Sequence, residues 1–314
     1  MLSVFVAGCG GGAGTRADGA TLLYAPSADR ASAQNPAFSG DGARVLFTIF
    51  HRGYNKGPAG LYVMDLEGAS PRTVLFEEGH DSVNLPGSCW NAATDRIAFS
   101  SDRTGRHEIW TVSPDGRDPF RVTWHGEATS CLEPTFSPDG KWIMFEVAAD
   151  SGDALERGGS IWKVRSDGTG AVRLTDGPGG GTDDRQPNWS PDGGRILFQR
   201  RAAGSDDWHI FTIAPDGGGL SQVTSGETED TDASWSPDGG RIVFSSDGSG
   251  VDAPVIFVTR SSGGKPRRVT GATGWSDSAP SWSPDGRWIA FESRRGSGED
   301  APAGLWRARA PAVP

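Results

Sequence analysis

The stretch Pro280-Ser281-Trp282-Ser283-Pro284-Asp285-Gly286, followed by Ile289-Ala290-Phe291, is one full instance of the pattern that organises this chain. In Ser-Pro-Asp-Gly, proline presets φ at the second turn position, aspartate suits the third, and glycine accepts positive φ at the fourth. The alternating apolar residues beyond the turn read as a strand with one face inward and one outward. The phrase recurs upstream as Pro36-Ala37-Phe38-Ser39-Gly40-Asp41-Gly42, Pro134-Thr135-Phe136-Ser137-Pro138-Asp139-Gly140, Pro187-Asn188-Trp189-Ser190-Pro191-Asp192-Gly193 and Ser234-Trp235-Ser236-Pro237-Asp238-Gly239. A looser copy is Ser88-Cys89-Trp90-Asn91. Its aromatic therefore falls at 38, 90, 136, 189, 235 and 282, every 46 to 53 residues.

Two more strands repeat with it. Core pairs Leu61-Tyr62, Ile109-Trp110, Ile161-Trp162, Ile210-Phe211, Ile256-Phe257 and Leu305-Trp306 mark a third strand. Arg72-Thr73-Val74, Arg121-Val122-Thr123, Arg173-Leu174-Thr175, Gln222-Val223-Thr224 and Arg268-Val269-Thr270 mark a fourth. A period of this length holds four short strands and their turns, as in a propeller blade. The expected fold is therefore all-β, a six-bladed β-propeller of four-stranded antiparallel blades. The sixth repeat stops after Leu305-Trp306, while Thr21-Leu22-Leu23-Tyr24 is spare. Tyr24 stands as far before Phe38 as Thr175 stands before Trp189. The N-terminal strand is thus predicted to complete blade six and close the ring, which also protects its sheet edge.

The unit Pro-x-Trp-Ser-Pro-Asp-Gly, Ile-x-Phe, Ile-Trp, Asp-Gly, Arg-Leu-Thr resembles the TolB-type (WD-like) propeller repeat, over about residues 20–310. The resemblance implies a propeller without the α/β domain that precedes it in TolB. It also implies a protein partner in the bacterial cell envelope, such as a lipoprotein or a peptide segment entering the channel. Prolyl oligopeptidase relatives add a hydrolase domain, but no Gly-x-Ser-x-Gly elbow occurs in this sequence.

Composition sets further bounds. The chain has 314 residues, 12 Trp and a net charge of −10. Phosphate backbones require clustered Lys and Arg, so nucleic acid is not an expected partner. No apolar run approaches the roughly 18 residues of a spanning helix. Val6-Ala7-Gly8-Cys9 resembles a lipobox, with Cys9 as the lipidated residue and Gly10 to Gly14 as a tether. Only eight residues precede Cys9 and none is basic, so either the true start lies upstream or the motif is coincidental. The sequence divides into residues 1–19, a signal remnant and tether, and 20–314, the propeller. The expected setting is the periplasm or cell envelope, with membrane contact only through the anchor, and a monomeric chain. Cys89 and Cys131 occupy different repeat positions; a disulfide and two buried thiols both remain open.

Alternating strand direction puts the short Asp-Gly turns on one face, where they read as purely structural. The second-to-third loops and blade connections occupy the other face, where function on a rigid scaffold usually sits. That loop-rich face collects Trp124, Trp208, Trp275, His51, Tyr54 and His125, the residue types of binding hot spots. Packing of the three tryptophans against blade edges is the competing reading. Polar residues three positions ahead of the core aromatic, Asn35, Glu133, Gln186 and Asp232, are placed at the channel mouth. Asp184, Asp230 and Asp277 lie further upstream and offer oxygen ligands for calcium, or else a solvated acidic rim. No other cofactor is expected. No catalytic set emerges from the five histidines. The sequence therefore points to a non-catalytic binding or scaffold protein of the envelope that recognises a protein or peptide on the loop-rich face and channel mouth. The alternatives are a carbohydrate-binding or carbohydrate-active (lyase or hydrolase) propeller using the same face, and a spacer without a specific ligand.

Overall fold

The computed structural model describes residues 14–28, 30–68, 70–124, 126, 129–149, 158–248, 253–271, 273–296 and 301–312. Six antiparallel sheets follow one another around a central channel. Blade one holds Ser32–Phe38, Arg44–Phe50, Ala59–Asp65 and Arg72–Leu75. Blades three, four and five repeat it, starting at Thr129–Phe136, Thr182–Trp189 and Asp230–Trp235 and ending at Val172–Arg173, Ser221–Gln222 and Arg267–Arg268. Blade two is irregular. Its innermost strand is split into Ser82–Val83 and Trp90–Asn91, both paired with Arg96–Ser101. The loose copy of the phrase at Ser88 to Asn91 marks that break.

Blade six combines Trp275–Trp282, Trp288–Arg295 and Gly304–Arg309 with the N-terminal strand Thr21–Tyr24. The pairing is antiparallel, with Thr21 opposite Arg307 and Leu22 opposite Trp306. Ring closure by the N-terminus is therefore present as expected. Packing into blade six also extends upstream of that strand. Arg16 is only 7 % exposed. Its guanidinium donates to Asp277 at 2.7 and 2.9 Å and to Ser293 Oγ at 2.9 Å.

The turn chemistry explains the repeated phrase. In five blades the serine hydroxyl donates to the aspartate two residues on, at 2.5–2.7 Å. The same oxygen accepts the N–H that opens the second strand: Arg44, Trp142, Arg195, Arg241 or Trp288. The serine bond is the first cause holding Asp41, Asp139, Asp192, Asp238 and Asp285 below the ordinary carboxylate range. Blade two substitutes Asn91, whose Oδ1 accepts from the N–H groups of Ala93 and Thr94. Between blades the core is filled by the second-strand phenylalanines Phe47, Phe99, Phe145, Phe198, Phe244 and Phe291, all fully buried. Cys89 and Cys131 are buried free thiols, with burial pushing the Cys89 thiol up to about 12.

Candidate binding channel

The channel has two levels, and both arise from the innermost strands. At the turn-rich end the six repeated aromatics, Phe38, Trp90, Phe136, Trp189, Trp235 and Trp282, surround a cup of about 310 Å³. Pro138, Pro191, Pro237 and Pro284 form its rim. At its base Ser88 Oγ of blade two donates to Asn188 Oδ1 of blade four at 2.8 Å, spanning blade three. Gly87 is required beside this bridge. Its φ is +94°, and a Cβ there would stand 2.7 Å from Asn188 Nδ2. The described residues that line the cup include no His, Asp, Glu, Lys or Arg. This face, which the sequence pattern presents as structural, therefore holds the apolar concavity.

Three residues ahead of each aromatic the backbone turns left-handed: Asn35 (φ 56°), Gly87 (94°), Glu133 (56°), Gln186 (53°), Asp232 (54°) and Ala279 (50°). The ladder register slips at this point in blades one, three, four, five and six, which identifies a repeated β-bulge. Left-handed geometry costs a non-glycine residue about 1–2 kcal/mol. The displaced N–H groups recover part of it by donating to the neighbouring blade. Gln186 N donates to Glu133 Oε2 at 2.8 Å, Asp232 N to Gln186 Oε1 at 3.0 Å, and Ala279 N to Asp232 Oδ2 at 3.3 Å. Asn35 N donates to Glu292 Oε2 at 3.0 Å, which carries the chain of bonds from blade six to blade one. Asn35, Glu133, Gln186 and Asp232 are thus gathered at one level of the channel, as a hydrogen-bonded girdle.

The second strands supply the other half of that girdle. The residue after each core phenylalanine is polar and buried: Thr48, Ser100, Glu146, Gln199, Ser245 and Glu292. None of these six stands among the candidates drawn from the sequence, although a polar residue recurring beside a buried phenylalanine was their visible signal. Glu146 hydrogen bonds Glu133, and burial followed by the Glu133 charge pushes its carboxyl well above the usual range. Two carboxyls that bond each other share a proton. Burial likewise raises Glu133, Asp232 and Glu292. Tyr54 reaches in from its loop to donate to Glu292 Oε1 at 2.6 Å, with the Arg294 guanidinium 4.0 Å from its ring centre.

The other sequence-predicted residues within the described chain are distributed over several blades. Trp124 is 69 % exposed, beside the Arg121 guanidinium. Trp208 is instead buried, its ring near both Arg185 and Arg201. Trp275 is half-buried against Trp306 and Arg16. His51 is exposed at the blade-one rim, 3.1 Å from the Tyr62 hydroxyl. His125 and Cys9 lie outside the described residues. The three aspartates offered for calcium sit on three separate blades with separate partners. Asp184 pairs with Arg200 at 2.6 Å and Asp277 with Arg16 at 2.7 Å, while Asp230 accepts from Thr228 Oγ1 at 3.2 Å. Among the described residues no group of three or more His, Cys, Asp or Glu side chains is arranged to hold a metal ion.

Fold and channel together define a closed six-bladed propeller with an apolar axial cup above a polar girdle. The family model of the TolB β-propeller domain matches residues 25–206 and again 180–301, so the chain belongs to the TolB β-propeller family. The Tol-Pal system protein TolB of Anaeromyxobacter dehalogenans is 30 % identical over 134 residues, covering 43 % of this chain and 27 % of that protein. The chain matches less than half the length of such curated relatives. Among solved structures, TolB of Acinetobacter baumannii superposes with a TM-score of 0.60 at 18 % identity, over 90 % of this chain and 64 % of that one. An oligogalacturonate lyase solved in complex with manganese superposes at 0.59 and 17 % identity, over 95 % and 96 %. Likeness at these identities reports the shared fold.

Proposed function

We propose that this chain is a binding protein of the bacterial cell envelope that receives a segment of a protein partner in the turn-rich mouth of its channel. The observation that carries this reading is the axial cup. Six aromatic rings and four prolines converge on one concave volume of about 310 Å³, the small end of the range for binding pockets. A lining of rings and prolines suits an apolar side chain on a partner segment. The described residues that line it include no His or carboxylate, and the reading offered for the cup is therefore binding. Kinship with a Tol-Pal system protein supports the envelope setting and a protein partner.

The test is site-specific photocrosslinking in envelope extracts. The photoreactive residue is placed at Pro237, exposed on the cup rim, or at Trp124, exposed on the loop-rich side. Capture of a discrete protein from position 237 and not from 124 is expected. Capture from 124 alone would return the site to the loop-rich face.

A further inference from the structure

The cup has a floor, and the irregular blade two supplies it. Between the two halves of its split innermost strand runs Asn84-Leu85-Pro86-Gly87-Ser88. Asn84 Nδ2 donates to the Asn35 carbonyl at 2.7 Å, and Asn84 Oδ1 accepts from Thr48 Oγ1 at 2.8 Å, both in blade one. Four residues on, Ser88 is bonded to Asn188 of blade four. Blades one and four stand opposite each other in a ring of six, so the stretch crosses the channel. Leu85 and Pro86 are buried between the two ties. Of the six left-handed girdle positions, only Gly87 is among the described residues that line the cup. The cup is therefore closed toward the girdle, and a side chain entering it ends on Ser88 and Asn188.

The hydrogen bonds of this floor fix where its protons lie. Asn188 Nδ2 donates at 3.1 Å to the Pro86 carbonyl, which can only accept, so the amide oxygen is the atom that faces Ser88. Ser88 therefore gives its one proton to Asn188 Oδ1, at 2.8 Å. Thr135 Oγ1, fully buried and bonded to Ser88 Oγ, must then be the donor of that second bond. A hydroxyl oxygen has two lone pairs. Thr135 takes one, and the other is left on Ser88, a half-exposed residue of the cup lining. The floor is thus an acceptor, and it suits an O–H or N–H donor carried in on an apolar body. A cationic donor is disfavoured on two counts. The described lining has no carboxylate to offset its desolvation. Guanidinium groups already lie over two of the six rings, Arg44 at 4.8 Å from the centre of Trp90 and Arg241 at 4.7 Å from that of Trp282. A neutral phenol meets both demands. Its ring matches the aromatic wall, and its donor sits at the far tip of the ring, where the floor is reached.

We propose that the cup receives a single tyrosine side chain of the partner segment, its hydroxyl donating to Ser88 Oγ. This rests on the binding role proposed for the cup and narrows it to a residue type. The probes are the acetylated, amidated tripeptide Gly-Tyr-Gly and its Gly-Phe-Gly and Gly-Lys-Gly counterparts, titrated against the whole chain by NMR. The tyrosine peptide is expected to bind with a Kd on the order of 1 mM. The phenylalanine peptide should bind about tenfold more weakly, since it leaves the Ser88 acceptor unpaired. The lysine peptide should bind more weakly still. Ser88→Ala should bring the tyrosine peptide down to the affinity of the phenylalanine peptide, and Pro237→Trp, crowding the rim, should abolish binding of both. The comparison of tyrosine with phenylalanine on the wild type decides the matter even if Ser88→Ala does not fold. Phenylalanine or lysine binding as tightly as tyrosine, with all binding lost in folded Pro237→Trp, would overturn the tyrosine assignment and leave the cup as a binding site. Binding of no peptide, or binding that survives folded Pro237→Trp, would overturn both.

Discussion

The two levels of the channel lie three residues apart on the same strands, yet they are built on opposite principles. At the turn-rich level every blade supplies an aromatic, and five supply the same serine–aspartate bond. At the girdle the six left-handed positions hold six different residues, Asn, Gly, Glu, Gln, Asp and Ala, with Gly and Ala contributing no side-chain acceptor. Carboxylates also behave oppositely. The turn aspartates are held low by hydroxyl and N–H donors, whereas the girdle carboxyls are raised by burial and, for Glu146, by the neighbouring Glu133 charge as well. The regular level carries the fold and forms the cup. The irregular level ties the blades together and gives the channel its asymmetry.

Breaking the regular level should cost most. Trp189→Ala removes a nearly buried ring from both the core and the cup wall, and a loss of about 3–5 kcal/mol in denaturant unfolding is expected. Glu292→Ala should follow at about 2–3 kcal/mol, because it strands the donors of Tyr54, Ser278 and Asn35. Glu292→Gln keeps an acceptor there and should recover most of that loss. Equal costs for the alanine and glutamine variants would remove the girdle from this account. Ser190→Ala breaks one turn of five and should cost about 1 kcal/mol.

Stability against pH sharpens the contrast further. A raised carboxyl stabilises the fold while protonated, so the contribution of the Glu133–Glu146 pair is full below the ordinary carboxylate range. It is lost as pH rises from there through the raised values. The lowered turn aspartates act in reverse. Their contribution is present above the ordinary range and is lost as pH falls through the lowered values. Glu146→Gln keeps a donor toward Glu133 and no longer titrates, so its melting temperature should fall less than that of the wild type as pH rises. Parallel curves for the two proteins would contradict the shared proton.

How far the sequence reveals this follows from where each signal lies. The blades are legible because Ser-Pro-Asp-Gly and the aromatic before it sit at a fixed spacing and serve local bonds. Ring closure is legible because Thr21–Tyr24 stands at a fourth-strand position. Half of the girdle is visible in Asn35, Glu133, Gln186 and Asp232. Glu146 and Glu292 are hidden, because alternation assigns a strand's polar residues to solvent, and only the closing of the ring turns that face toward the channel. Arg16 reads as tether because its partner, Asp277, is 261 residues away. For Trp208 the sequence leaves binding and packing both open, because Arg185 and Arg201, which lie against its ring, come from other strands of its blade. The cup escapes notice because its lining consists of the very residues that make the turns.

The central claim is that the turn-rich cup is where a partner binds, and one measurement addresses it directly. Envelope extract is passed over immobilised wild type, Pro237→Trp, which crowds the cup rim, and Trp124→Ala, which alters the loop-rich side, with folding of each checked by circular dichroism. A protein retained by the wild type and by Trp124→Ala, but lost with Pro237→Trp, is the predicted result. Retention by folded Pro237→Trp together with loss from Trp124→Ala would contradict it.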